Sequence, residues 1–189
     1  MSSRRNLLIM ASIALAASAV TPVLAASASV KPAEALASEA ANAFLATVRR
    51  GGGQEDFARL FDRYVSIQSI AMFALGKHRR RLPPQQRTRY VNLVNDMLVS
   101  AVTRHGKHVS GKAFVVTGSR GSIVSGYVQQ HDGGRTNVDM RMADGRIADV
   151  RVEGIWLAFV LRQEFNRIID GNGGNISAIL SHLENGGTL

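Results

Sequence analysis

The chain has 189 residues, 46% hydrophobic and 20% charged, which suits one globular domain with a sizeable core. It contains no cysteine, so disulfides, thiolate metal sites and cysteine nucleophiles are excluded. Its net charge of +9 favours anionic partners: nucleic acid, an anionic membrane surface or acidic protein.

The first segment gives the address. Arg4-Arg5 precede an uncharged apolar run from Leu7 to Val20, and Val23-Leu24-Ala25 and Ala26-Ser27-Ala28 offer small residues for cleavage. Residues 1–25 therefore read as a secretory signal peptide, with cleavage after 25 or 28, too short for a membrane span. Ser3-Arg4-Arg5-Asn6-Leu7-Leu8 is also similar to a twin-arginine signal, and the sequence does not choose between the two export routes. No cysteine follows to carry a lipid anchor. The expected product is one periplasmic domain, residues 29–189, and most simply a monomer. Without Arg4 and Arg5 it keeps 21 Lys and Arg against 14 acids, a net charge of +7. Export argues against nucleic acid and leaves anionic lipid or an acidic partner.

Beyond a short polar leader, Pro32 opens a helix carried by Ala37, Ala40, Phe44 and Val48 and broken by Gly51-Gly52-Gly53. A second helix is expected from Glu55 to Ala74. Its broad apolar face, Phe57, Leu60, Phe61, Tyr64, Val65, Ile67, Ile70 and Phe73, suggests deep burial or a cavity wall. Lys77-His78-Arg79-Arg80-Arg81 reads as a basic loop, either a phosphate or partner surface or simply a solubilising helix end. Pro83-Pro84 reset the chain. The next helix presents Tyr90, Val91, Val94, Met97, Leu98 and Val102 and ends near His105-Gly106.

From Lys112 the pattern becomes β: a strand over Ala113–Thr117, a turn at Gly118–Gly121, a strand over Ser122–Gln130 and a hairpin signal at His131-Asp132-Gly133-Gly134. Val138, Met140 and Met142 alternate, turn at Asp144-Gly145, and are answered by Ala148, Val150 and Val152. After Glu153-Gly154 a helix is expected from Ile155 through Ile169, then a Gly-Asn-Gly-Gly stop and a short last helix. Helices, then an antiparallel meander, then helices make an α+β fold: a curved sheet of about four strands with helices on its concave face, enclosing an apolar pocket.

Catalytic patterns are missing. There is no G-x-S-x-G, H-E-x-x-H, P-loop or dinucleotide fingerprint, and Gly106 separates His105 from His108. Asp139 and Asp149 read as carboxylates on a solvated sheet face, and Glu153 as a cap for the following helix. No enzyme activity, cofactor or metal is expected.

Several ordered segments carry a resemblance: Phe73-Ala74-Leu75-Gly76-Lys77-His78, Leu82-Pro83-Pro84-Gln85-Gln86-Arg87, Ile147 through Ile155, Arg162-Gln163-Glu164-Phe165 and Gly174-Asn175-Ile176. Together they resemble the Mla-type periplasmic phospholipid carriers, the MlaC or toluene-tolerance auxiliary family, along essentially the whole mature chain. The resemblance implies a carrier that shuttles phospholipid between an outer-membrane lipoprotein complex and an inner-membrane ABC transporter complex. A related hopanoid-associated branch makes a polycyclic lipid an alternative cargo; a non-carrier adaptor of a transport complex is another alternative. It also implies an acyl slot. Phe61, Ile70, Phe73, Val94, Met97 and Leu98 would line it from helices, Val138, Met140, Val150 and Val152 would form its floor, and Ile155 and Phe159 part of its wall. Lys77, Arg79, Arg80 and Arg81 would meet a headgroup or partner. The chain departs from the family pattern at Arg79 and Arg146, where relatives often carry tryptophan, at Met140, often an aromatic, and at Trp156, usually a small residue.

Overall fold

The structure is a computed structural model that describes residues 31–106 and 111–187. The signal segment and His108 lie outside the described residues. Helix α1, Pro32–Arg49, starts at its proline and buries Ala37, Ala40 and Leu45; the two alanines let it lie close to the sheet. The long second helix expected from Glu55 to Ala74 is two helices, α2 (Gln54–Tyr64) and α3 (Ile67–Ala74). The break has a physical cause. Val65 turns extended and bridges Ile147, and the Ser66 N–H donates to the Ile147 carbonyl at 2.8 Å, so the sheet captures the backbone there. The basic stretch Gly76–Arg81 is a 3₁₀ turn rather than a loop, and a second 3₁₀ turn, Pro84–Gln86, leads into α4, Arg87–His105.

Among the described residues the sheet has five strands, one more than expected: β1 (Ala113–Arg120), β2 (Ile123–Gln129), β3 (Arg135–Ala143), β4 (Arg146–Val152) and β5 (Ile155–Trp156). They form an open antiparallel meander in chain order. β1 runs past the turn expected at Gly118, because a bulge at Thr117 absorbs one residue and pairing continues to Arg120. Gly126 has a packing reason to be glycine: a Cβ there would meet the Phe114 ring at 2.5 Å and the Val115 carbonyl oxygen at 2.5 Å. A second bulge lies at Ala148, where Arg141 pairs with Asp149 but Met142 pairs with Ile147. It puts Ile147, not Ala148, on the buried face beside Met142. Glu153 and Gly154, both at positive φ, make a two-residue hairpin turn, so Ile155 and Trp156 pair with β4 before α5 (Leu157–Gly171) begins. Helix α6 covers Ser177–Glu184.

The apolar interior divides into two clusters. One joins the buried sheet face, including Phe114, Val124, Val128, Val138, Met140 and Met142, to α1 and to Tyr64. The other packs α3, α4, α5 and α6 on one another through Ile70, Tyr90, Val94, Leu161, Phe165 and Ile179. The buried Tyr90 hydroxyl donates to the Ala71 carbonyl at 2.9 Å and its ring meets Phe165 edge-on. Val65 packs against both clusters.

Asp149 corrects the sequence reading. It is 2% exposed instead of solvated, because the start of α5 covers it. Trp156 supplies no side-chain cap to α5; the Asp149 carboxylate accepts the Ala158 N–H at 3.0 Å in its place. The expected cap, Glu153, points elsewhere and accepts the Asn137 N–H.

Candidate functional site

The break after α2 opens a cleft at the seam between the two clusters. Its volume is about 390 Å³, toward the small end of the roughly 300–1,000 Å³ range of ligand pockets. Phe61, Val65, Ile67 and Val91 supply apolar surface, while Asp62, Ser66, Gln68, Asn92, Asn95 and Arg146 supply polar groups. Each element contributes for a local reason. Because Val65 leaves the helix, the last carbonyls of α2 need donors, and the Arg146 guanidinium donates to Asp62 O at 2.6 Å and to Val65 O at 3.4 Å. On α4, Val91, Asn92 and Asn95 turn toward the same space within about one helical turn. Apolar and polar groups thus face each other across one opening, a chemistry suited to an amphiphile.

The twelve residues expected to line an acyl slot are distributed over the two clusters and the surface. Phe61 alone among them borders the cleft. Ile70, Val94, Met97 and Leu98 are packed in the helical cluster, and Val138 and Met140 in the sheet cluster, with half-buried Val150 against them. Phe73, Val152, Ile155 and Phe159 are exposed, Ile155 most of all at 63%. Two effects explain the scatter. α5 turns its apolar stripe toward α3, α4 and α6, which leaves Phe159 outside; and the short β5 carries Ile155 to the end of the sheet.

The basic segment also divides. Lys77 Nζ is 2.8 Å from Asp170, and Arg81 donates to the Gly174 carbonyl at 3.0 Å. These cations gather at the C-terminal end of α5, where the helix dipole favours them. They border a second hollow of about 390 Å³ with Asp170, Gly173 and Gly174. His78 lies in its wall, 2% exposed; its Nε2 is 3.0 Å from Asp170 Oδ1 but out of line for a hydrogen bond, and its Nδ1 has no partner among the described residues. The Lys77 ammonium, beside His78, holds the Asp170 carboxyl below its ordinary range. Arg79 and Arg80 are exposed and have no ion-pair partner among the described residues.

The outer sheet face holds a charged network. Arg141 and Arg151 lie 4.3 and 5.0 Å from the centre of the Trp156 ring, which therefore borders neither cleft nor hollow. Burial raises the Asp149 carboxyl above its ordinary value, against the N–H bonds from Ala158 and Val150 and the charge of Arg141. For Asp139 burial pushes the same way, but the Ser125 hydroxyl and the Arg151 guanidinium outweigh it and the net shift is down. Among the described residues no group of three or more His, Cys, Asp or Glu is placed to hold a metal ion.

The sequence places Val65 and Ile67 on a face suited to deep burial or a cavity wall, but it does not point to Val91, Asn92, Asn95 and Arg146 as site residues. The only local signal was the β-branched Val65 followed by Ser66, a weak point in an otherwise continuous apolar helix. The Arg146 contact spans more than eighty residues and has no local signature.

A family model described as MlaC protein matches residues 39–185. No curated protein sequence matches. A solved structure described as the phospholipid-binding protein from Ralstonia solanacearum in complex with a phospholipid superposes with a TM-score of 0.69. It is 18% identical, over 82% of this chain and 96% of that one, a likeness of fold.

Proposed function

This chain belongs to the MlaC protein family, and from that premise we propose that it is a phospholipid carrier working in the periplasm. After removal of residues 1–25, a single domain, residues 29–189, takes lipid from one membrane complex and delivers it to another. Its partners are an outer-membrane lipoprotein complex and an inner-membrane ABC transporter complex. The protein performs no reaction and needs no cofactor. Among the described residues no helix is long and apolar enough to cross a membrane.

The observation that carries this reading is the amphipathic cleft at the seam of two separately packed clusters. A close-packed core resists opening because every lost contact costs dispersion energy. Val65 packs against both clusters, so a ligand entering beside it would part them there. Acyl chains entering there would replace contacts between the clusters with contacts to lipid, and the polar rim of Asn92, Asn95 and Gln68 would face the headgroup. Two chains with about a dozen buried methylenes each gain about 20 kcal/mol against water. Transfer from a bilayer returns little of that, since the chains were already in hydrocarbon, so loading and release depend on the docked complexes. The structural neighbour that holds a phospholipid on this fold supports the reading.

Native mass spectrometry of protein purified from a bacterial host, followed by lipid extraction, tests it. A retained phospholipid is the expected result. Repeated recovery of the bare polypeptide under gentle conditions would overturn the proposal, and a retained hopanoid would redirect it to a polycyclic cargo.

A further inference from the structure

Five large apolar side chains are exposed in consecutive parts of the fold. They are Phe73 on α3, Val152 and Ile155 either side of the Glu153-Gly154 turn, and Phe159 and Val160 in the first turn of α5. Sequential contacts place them beside the basic segment. The Arg162 guanidinium lies 5.4 Å from the Phe73 ring centre, and a Cβ on Gly76 would meet Arg162 and Asn166. Lys77 and His78 then reach Asp170, and Arg81 reaches Gly174. Residues 73–81 therefore run alongside residues 162–174 in the same direction. One ridge results, apolar at the Ile155 and Phe159 end and cationic at the Arg79 to Arg81 end. From Phe159 to Asp170 it measures about 16 Å along the helix.

From this ridge we propose that the protein docks directly on anionic phospholipid bilayers, an interaction beyond cargo binding. The charge is complementary to lipid phosphate. The acids along the ridge are already engaged: Asp170 with Lys77 and His78, Glu164 with Arg167, Glu153 with the Asn137 N–H. Arg79 and Arg80 have no such partner among the described residues. The apolar end surrounds an exposed two-residue turn, and such a tip can enter the headgroup boundary of a deformable bilayer without a matching pocket. The Arg162 guanidinium lies over the Phe73 ring, which keeps a cation directly beside exposed apolar surface.

The experiment is co-sedimentation of the mature protein with phosphatidylcholine vesicles and with vesicles containing an equal part of phosphatidylglycerol. Each is run at low ionic strength and at about 1 M salt, where the screening length falls to about 3 Å. The expected result is binding that requires phosphatidylglycerol and weakens with salt. Arg79→Ala with Arg80→Ala should weaken it about 25-fold, at about five-fold per arginine. Ile155→Ser with Phe159→Ser should reduce binding that persists at high salt. Val115→Ser, an exposed apolar position on β1, serves as control and should bind as wild type. Equal binding to both vesicle types, no binding, or unchanged binding by both double variants would overturn the proposal. So would binding only to membranes that contain protein, which would make the ridge a protein-docking surface. Native mass spectrometry of the same samples keeps cargo separate: lipid retained by a variant that no longer sediments supports docking alone, and sedimentation without retained lipid leaves docking standing while the carrier reading fails.

Discussion

Asp149 shows how one side chain changes meaning with its surroundings. In sequence it alternates with Val150 like any strand acid; in the fold it is buried and caps α5 through the Ala158 N–H. Asp149→Ala leaves that donor without a partner and should destabilise the protein by about 1–3 kcal/mol. Asp149→Asn keeps an acceptor oxygen and removes the buried charge, so it should cost much less; urea denaturation of the two variants measures the difference. Asp149 and Asp139 also act oppositely with pH. The folded carboxyl of Asp149 is raised, so its contribution to stability is full below the ordinary value of 3.8 and declines as pH rises through the folded value. That of Asp139 is lowered, so its contribution is present above 3.8 and is lost as pH falls through the folded value. Asp139→Asn should therefore flatten the acid limb of a stability–pH curve, and Asp149→Asn should flatten the decline at higher pH. An acid limb unchanged by Asp139→Asn would show that its bonds to Ser125 and Arg151 persist unfolded or contribute nothing.

Elements in this chain are shaped by neighbours that local propensity cannot see. The apolar face from Phe57 to Ala74 fits one helix, yet the edge of β4 takes the backbone of Val65 and Ser66 and makes two. The bulge at Ala148 likewise shifts which residues of β4 face inward. Gly126 gives a direct check on sheet packing, because the Val115 carbonyl that a Cβ would meet is backbone and cannot move aside as a side chain would. Gly126→Ala should cost about 1–3 kcal/mol, seen as a lowered Tm, while the outward Gly121, with no atom near its Cβ position but a positive φ, should respond only to backbone strain.

For the whole molecule, the division into two clusters is the consequential feature. If the seam opens for cargo, filling its mouth should block loading without harming the fold. Val91→Trp places bulk in the cleft; we expect less lipid retained in native mass spectra with a Tm at or near that of wild type. Lipid retained at wild-type level would place the cargo elsewhere in the molecule. The exposed ridge along α5 and the cleft beside α2 involve different residues, so docking and loading should be separable by mutation.

The sequence by itself determined the class of fold, the helix opened by Pro32, the meander with its turns at Gly133 and Gly145, and the inward set Val138, Met140 and Met142. These follow from period and turn chemistry, which are local. The ordered segments from Phe73 to Ile176 also determined the family. Only the tertiary structure decided where the apolar excess goes. Period tells that Ile70, Phe73, Val138 and Phe159 are apolar positions on their elements, but not that two enter different cores and two stay at the surface. Burial depends on which faces meet across long stretches of chain, and contacts such as Arg146 with α2, or Asp149 with α5, exist only once distant elements are in place.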